Sequence, residues 1–166
     1  MRRLTLTALV AALVMTVAAP VASASPDGMD VREQLRPVRH ATDAFHDVAT
    51  AEAAGYVEFL DCFDSEAGGM GQHYVDLEAL DDVVEATHPE AMVYRVRKDG
   101  SLHLVAVEYI VPNTPEVAAD VPVLFGRRFH LNAALDVWVL HAWIWKPNPS
   151  GMFEDYNPRV HPCPAG

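Results

Sequence analysis

Between Pro37 and Ala54 apolar side chains recur at three- and four-residue spacing: Ala41, Ala44, Phe45, Val48 and Ala51 form one stripe, with Asp43, Asp47, Thr50 and Glu52 mostly off it. This period predicts one long amphipathic helix, ended by Gly55 in a left-handed cap. Its small alanines would let it lie close against a sheet. After the glycine-rich turn Gly68-Gly69-Met70-Gly71, the stretch Gln72-His73-Tyr74-Val75 reads as a short extended piece, and Leu77, Leu80, Val83 and Val84 as one short helix. Ala91 to Arg97 and Leu102 to Val111 flank Asp99-Gly100, a dipeptide suited to a two-residue hairpin turn. With that turn Val96 faces His103, Tyr94 faces Val105 and Met92 faces Val107, and Glu108 lies on the opposite face in line with Leu102, Leu104, Ala106 and Ile110. Val137 to Trp145 is apolar on both faces and reads as a central, doubly covered strand. The expected fold is therefore α+β: one long N-terminal helix packed on a four- or five-stranded, mainly antiparallel sheet.

The first residues change this picture only by removing themselves from it. Arg2 and Arg3 precede the uncharged apolar stretch Leu4 to Ala19, and Ala22-Ser23-Ala24 supplies small residues for cleavage. Residues 1–24 thus read as a signal peptide cut after Ala24, and the stretch is too short and too interrupted for a spanning helix. Sec-type export is the default, with twin-arginine export the alternative opened by the Arg2-Arg3 pair. Residues 25–36 read as a flexible leader and 37–166 as a single domain, since 142 mature residues suit one core. Cleavage leaves ten Lys and Arg against 23 acids, a net charge of −13. Such a field repels phosphate backbones and anionic lipid, and favours a cation or a neutral or cationic small molecule. With two cysteines, Cys62 and Cys163, and an oxidising destination, one disulfide is the expectation; a thiol metal or redox site is the poorer alternative without Cys-x-x-Cys.

Three polar residues sit in extended, mostly apolar segments: His73, Glu108 and His141. A buried polar group left alone costs ~1–3 kcal/mol, so each needs a partner. One account brings them together on neighbouring strands as a two-histidine, one-carboxylate site for zinc, copper or iron. Met70, Met152 or His130 would then be further ligands. The other pairs Glu108 with Arg95, Arg97, Arg127 or Arg128 and lets the histidines bond backbone carbonyls, and no His-x-His or His-Glu-x-x-His spacing argues against it. Converging lone pairs would favour the site; separation beyond ~7 Å, or an intervening arginine, would favour the second account. His46 between Asp43 and Asp47 reads as an exposed salt-linked histidine, and His88 as loop punctuation; His40, His103 and His161 have no evident partner. Trp138, Trp143, Trp145, Tyr94 and Tyr109 would line a small-molecule pocket or simply fill the core. Ser65, Ser101 and Ser150 stand in no nucleophile motif, and the glycines at 68, 69 and 71 in no phosphate-loop context.

Gly-Met-Gly-Gln-His-Tyr at 69–74, His-Pro-Glu-Ala-Met-Val-Tyr at 88–94, Val-Glu-Tyr at 107–109, His-Ala-Trp-Ile-Trp at 141–145, Asn-Pro-Ser-Gly-Met-Phe at 148–153 and Asn157-Pro158 before a final cysteine resemble a family of short secreted bacterial proteins of unassigned function. The resemblance covers most of residues 41 to 163 and implies export and a shared architecture, without chemistry. Many members carry a second histidine four residues before the position of His141; Val137 stands there in this chain, which weakens any two-histidine site on that strand alone. The leading expectation is a secreted protein that binds a metal ion or small ligand through His73, Glu108 and His141. An extracytoplasmic metalloenzyme using the same residues, and an envelope structural or interaction protein without an active site, are the alternatives.

Overall fold

The computed structural model describes residues 29–160 and Cys163; the signal segment 1–24, its cleavage point and His161 lie outside the described residues. Three short helices, α1 (Val31–Thr42), α2 (Val48–Ala53) and α3 (Pro115–Ala119), accompany eight strands. These are β1 (Tyr56–Ser65), β2 (Gly68–Asp76), β3 (Ala91–Val96), β4 (Leu102–Pro112), β5 (Val123–Leu124), β6 (Arg127–Arg128), β7 (His130–Asn132) and β8 (Val137–Ala142). Six of them form one antiparallel sheet in the order β1-β2-β3-β4-β8-β7, and β5 pairs with β6 in a separate hairpin.

The expectation of one long helix on a four- or five-stranded sheet is overturned, because the chain is mostly sheet and its N-terminal helical stretch is broken. The buried Thr42 hydroxyl turns back to the Val38 carbonyl at 2.9 Å, and a single 3₁₀ turn follows at Asp43–His46. Asp47 then adopts an extended conformation and accepts from the Ala49 N–H at 3.1 Å, starting α2 as a new helix. Short polar side chains that bond the nearby backbone compete with helix continuation, and here they prevail over the apolar period. Gly55 does end the helical stretch, at φ +106°. The first helix also begins earlier than expected, at Val31 with Asp30 as its N-cap, inside the stretch 25–36 read as a leader. No helix forms around Leu77–Val84, where the chain runs as turns, and β1 and β7 are strands that the apolar pattern does not announce.

The hairpin of β3 and β4 forms with a changed register. Arg97 N–H donates to the Ser101 carbonyl and Gly100 sits at φ +79°, so the loop has three residues rather than two. Val96 therefore faces Leu102 and Tyr94 faces Leu104. A bulge at Val105 restores the expected pairing of Met92 with Val107. Its carbonyl accepts from the N–H groups of Trp145 and Lys146. The bulge also inverts the side-chain alternation. Leu102 and Leu104 share the large core with Val107, Tyr109 and Val111, while Glu108 keeps only Ala106 and Ile110 on its own face.

That large core holds Leu35 and Val38 of α1 together with Tyr94, Tyr109, Leu104 and Leu140 of the sheet. Beyond β8 the chain turns back across the molecule. The Asn157 N–H donates to the Gly69 carbonyl, the Gly69 N–H donates to the Val160 carbonyl, and a Cβ at Gly68 would lie 2.5 Å from the Asn157 backbone, so the tail can seat there only against glycine. The expected disulfide is present, Cys62 to Cys163 with Cα atoms 5.6 Å apart, and pins the tail to β1. No helix among the described residues is long and apolar enough to cross a membrane.

Candidate metal centre

His73 on β2, Glu108 on β4 and His141 on β8 project from the face of the sheet opposite the large core, each less than a tenth exposed. Glu108 and His141 are cross-strand partners. His73 is two strands from Glu108, a backbone separation of roughly 10 Å, and the two meet over β3. The residues beneath them there are Val93, paired with His73, and Ala91, paired with Glu108. The methyl of Ala91 is what leaves room for this reach.

His73 Nε2 lies 3.3 Å from Glu108 Oε2 and 3.4 Å from His141 Nε2. One ligand atom from each residue can be chosen so that all lie within 4.8 Å of one another. The two edges that meet at His73, 3.3 and 3.4 Å, are those of a tetrahedron with ligand bonds of about 2.0–2.1 Å, the zinc–imidazole distance. Glu108 forms ion pairs with His73 and His141, and none with an arginine among the described residues. The pairing with Arg95, Arg97, Arg127 or Arg128 is thereby corrected; Arg127 instead stacks over the Phe153 ring.

Behind His141 stands a residue that sequence reasoning missed. Asp155 Oδ1 is 3.2 Å from His141 Nδ1, and its Oδ2 is 2.9 Å from His130 Nε2. A carboxylate on the far nitrogen of a histidine fixes ring and tautomer and leaves the near nitrogen free to ligate. The tail delivers Asp155: Asn148 Nδ2 donates to the Tyr156 carbonyl, and the indole of Trp143 donates to the Glu154 carbonyl. Asp155 stands between the two tail motifs, in a segment whose polar composition marks only a loop, and the one available signal was the cysteine that ties this segment down.

Burial lowers the His73 pKa, an effect that the nearby Glu108 charge only partly offsets, so His73 is biased to the neutral imidazole a metal requires. His141 is equally buried, but Glu108 and then Asp155 outweigh that desolvation and raise its pKa. Against its own desolvation, the hydrogen bonds of His130 and His141 hold the Asp155 carboxyl well below the usual carboxylate range. A second buried acid, Glu90, accepts from the Ile110 N–H at 3.0 Å, and burial pushes it up to about 7.

Beside the cluster lies a cavity of about 440 Å³, with His73 and Glu108 among its lining residues. Its apolar walls are Phe59, Leu60, Val75, Leu135, Val137 and Val139. Leu60 and Leu135 stay 45% and 44% exposed and mark its mouth. Leu60 is held at φ +58°, a strained conformation for leucine, where the Gln72 amide donates to its carbonyl at 2.7 Å. Of the two accounts of the aromatic residues, the core-filling one describes them. Tyr94 and Tyr109 fill the large core, Trp138 and Trp145 pack against it, and Trp143 sits in a separate small cluster.

Of the remaining candidates, Met70 lines the cavity, Met152 packs against the large core, and His130 touches Asp155 rather than the cluster. His46 is exposed as expected, but its partner is the Trp145 ring at 4.4 Å, with His103 at 5.9 Å, rather than a flanking aspartate. His88 is a loop residue 3.6 Å from Asp76, and His40 is exposed on α1. Comparison with models of known protein families, with curated proteins and with solved structures gives no match.

Proposed function

We propose that this protein binds a divalent transition metal ion, zinc by preference, through His73, Glu108 and His141. The observation that carries the reading is the convergence of three buried ligand groups within 4.8 Å, with no arginine among the described residues paired to Glu108. Two imidazoles and one carboxylate suit zinc or iron(II), and none of the three carries the sulfur that would favour copper. Asp155 acts one step removed, orienting His141. The disulfide suits an oxidising compartment, which supports the export read from residues 1–24.

Three protein ligands leave a fourth position open, and the cavity beside His73 and Glu108 favours a second reading, a small metalloenzyme in which that position takes water or substrate. A purely structural cluster would have no use for such a space. Elemental analysis tests the metal reading, using protein purified without a histidine tag. Near-stoichiometric metal is expected in the wild type, and loss of it in a His73→Ala/His141→Ala variant whose circular dichroism shows it folded. Metal-free wild type after incubation with zinc, copper and iron(II) would end the proposal.

A further inference from the structure

The cavity and the cluster have complementary demands. A divalent ion with one carboxylate ligand, Glu108, leaves one net positive charge on the ligand set, and Asp155 stands behind His141 with His130 2.9 Å from its other oxygen. Around this charge the cavity walls are apolar, from Phe59, Met70 and Val75 to Val137 and Val139. Besides His73 and Glu108, the polar side chains lining the space are Asn132 and Tyr156. A cavity of about 440 Å³ is also the size of small-molecule sites, about 300–1,000 Å³. A dianion would leave an uncompensated charge against apolar walls, and a neutral alcohol would leave the metal charge unmatched.

Resting on the metal reading above, we infer that the site takes a small amphiphile with a single anionic head, of the carboxylate class, the head on the open metal position and the apolar body in the cavity. The mouth agrees with this direction of entry. Leu60 and Leu135 present large apolar side chains to solvent there, and the Gln72–Leu60 hydrogen bond holds Leu60 in place despite its backbone strain. Both leucines line the cavity and neither is one of the three ligand residues, so the mouth can be altered with the metal kept.

Cobalt(II)-loaded protein, with metal content measured in each sample, is titrated with hexanoate, octanoate, decanoate and 1-decanol by calorimetry and visible absorption. The expected result is a change in the cobalt spectrum with each carboxylate and not with decanol, and affinity rising about three- to fourfold per added methylene. Leu135→Asp, which sets an anion at the mouth, keeps its metal and loses at least about tenfold in decanoate affinity. Retained cobalt with an unchanged spectrum, or affinity indifferent to chain length, would overturn this inference and leave the metal reading standing. Failure to take up cobalt or zinc at all would overturn both.

Discussion

On the face of the sheet that carries Tyr94 and Tyr109, each tyrosine hydroxyl has one carbonyl partner and each side chain is fully buried; on the opposite face His73, Glu108 and His141 serve one another, and His73 and Glu108 border a cavity. The two sets meet on β4, where Glu108 and Tyr109 are neighbours on opposite faces. Tyr94 donates to the Phe45 carbonyl and Tyr109 to the Ala86 carbonyl, both at 2.7 Å, and Tyr56 donates to the Pro89 carbonyl at 2.8 Å. These bonds fasten the helical segment and the 77–90 loop to the core. Across the sheet, two imidazoles and a carboxylate converge on one point, and their hydrogen-bonding capacity toward it is shared rather than paired off. Ordinary burial of polar groups yields the first arrangement. The second leaves room for an additional positive centre.

The largest expected separation of the faces comes from Ala91→Leu. A bulkier side chain on β3 stands where His73 and Glu108 meet, so zinc affinity measured by chelator competition falls more than about a hundredfold, while overpacking costs about 1–3 kcal/mol in urea unfolding. Unchanged zinc affinity would show that Ala91 is not the gap the site depends on. Asp155→Asn is expected to come next, weakening zinc about 10–100-fold with little change in fold, as loss of a histidine-orienting carboxylate does.

A smaller effect, in stability rather than binding, is expected from Glu90→Gln. Burial pushes the Glu90 carboxyl from its ordinary 4.5 up to about 7, so wild-type stability falls as the pH rises from 4.5 through about 7 and the buried group ionises. Glutamine keeps an acceptor for the Ile110 N–H and removes that loss. The variant should match the wild type near pH 4.5 and exceed it by about 1–3 kcal/mol at pH 8; parallel stability curves would contradict the burial argument. Smallest is Tyr109→Phe, which leaves the Ala86 carbonyl without its partner at a cost of about 0.5–1.5 kcal/mol and leaves zinc affinity unchanged. A loss of zinc there would mean that the faces are coupled.

How much of this could be read from the chain follows from what each pattern encodes. His73, Glu108 and His141 stood out because each interrupts an apolar strand, and a lone polar residue in such a strand must find a partner. Glu90 is buried to the same degree and Asp155 is half-buried, yet they lie in a loop and a tail where acids are commonplace, so nothing local distinguished them. The apolar stripe from Ala41 to Ala51 is real, but it does not register that the Asp47 and Thr42 side chains bond their own backbone and divide the helix. Likewise Asp99-Gly100 located a hairpin correctly while concealing its three-residue loop. The compensating bulge at Val105 depends on backbone donors from Trp145 and Lys146, forty residues on, and that bulge decides which side chains share a face with Glu108. Strand β1 was hidden because its register breaks between Phe59 and Phe63, which spoils the alternation a strand usually shows.

The most direct test of the central claim is zinc K-edge X-ray absorption on the zinc-loaded protein. Two imidazoles with one or two oxygens at about 2.0–2.1 Å are expected, falling to at most one imidazole in the folded His141→Ala variant. A sulfur shell near about 2.3 Å, or an imidazole count unaffected by that substitution, would place the metal elsewhere and contradict the account.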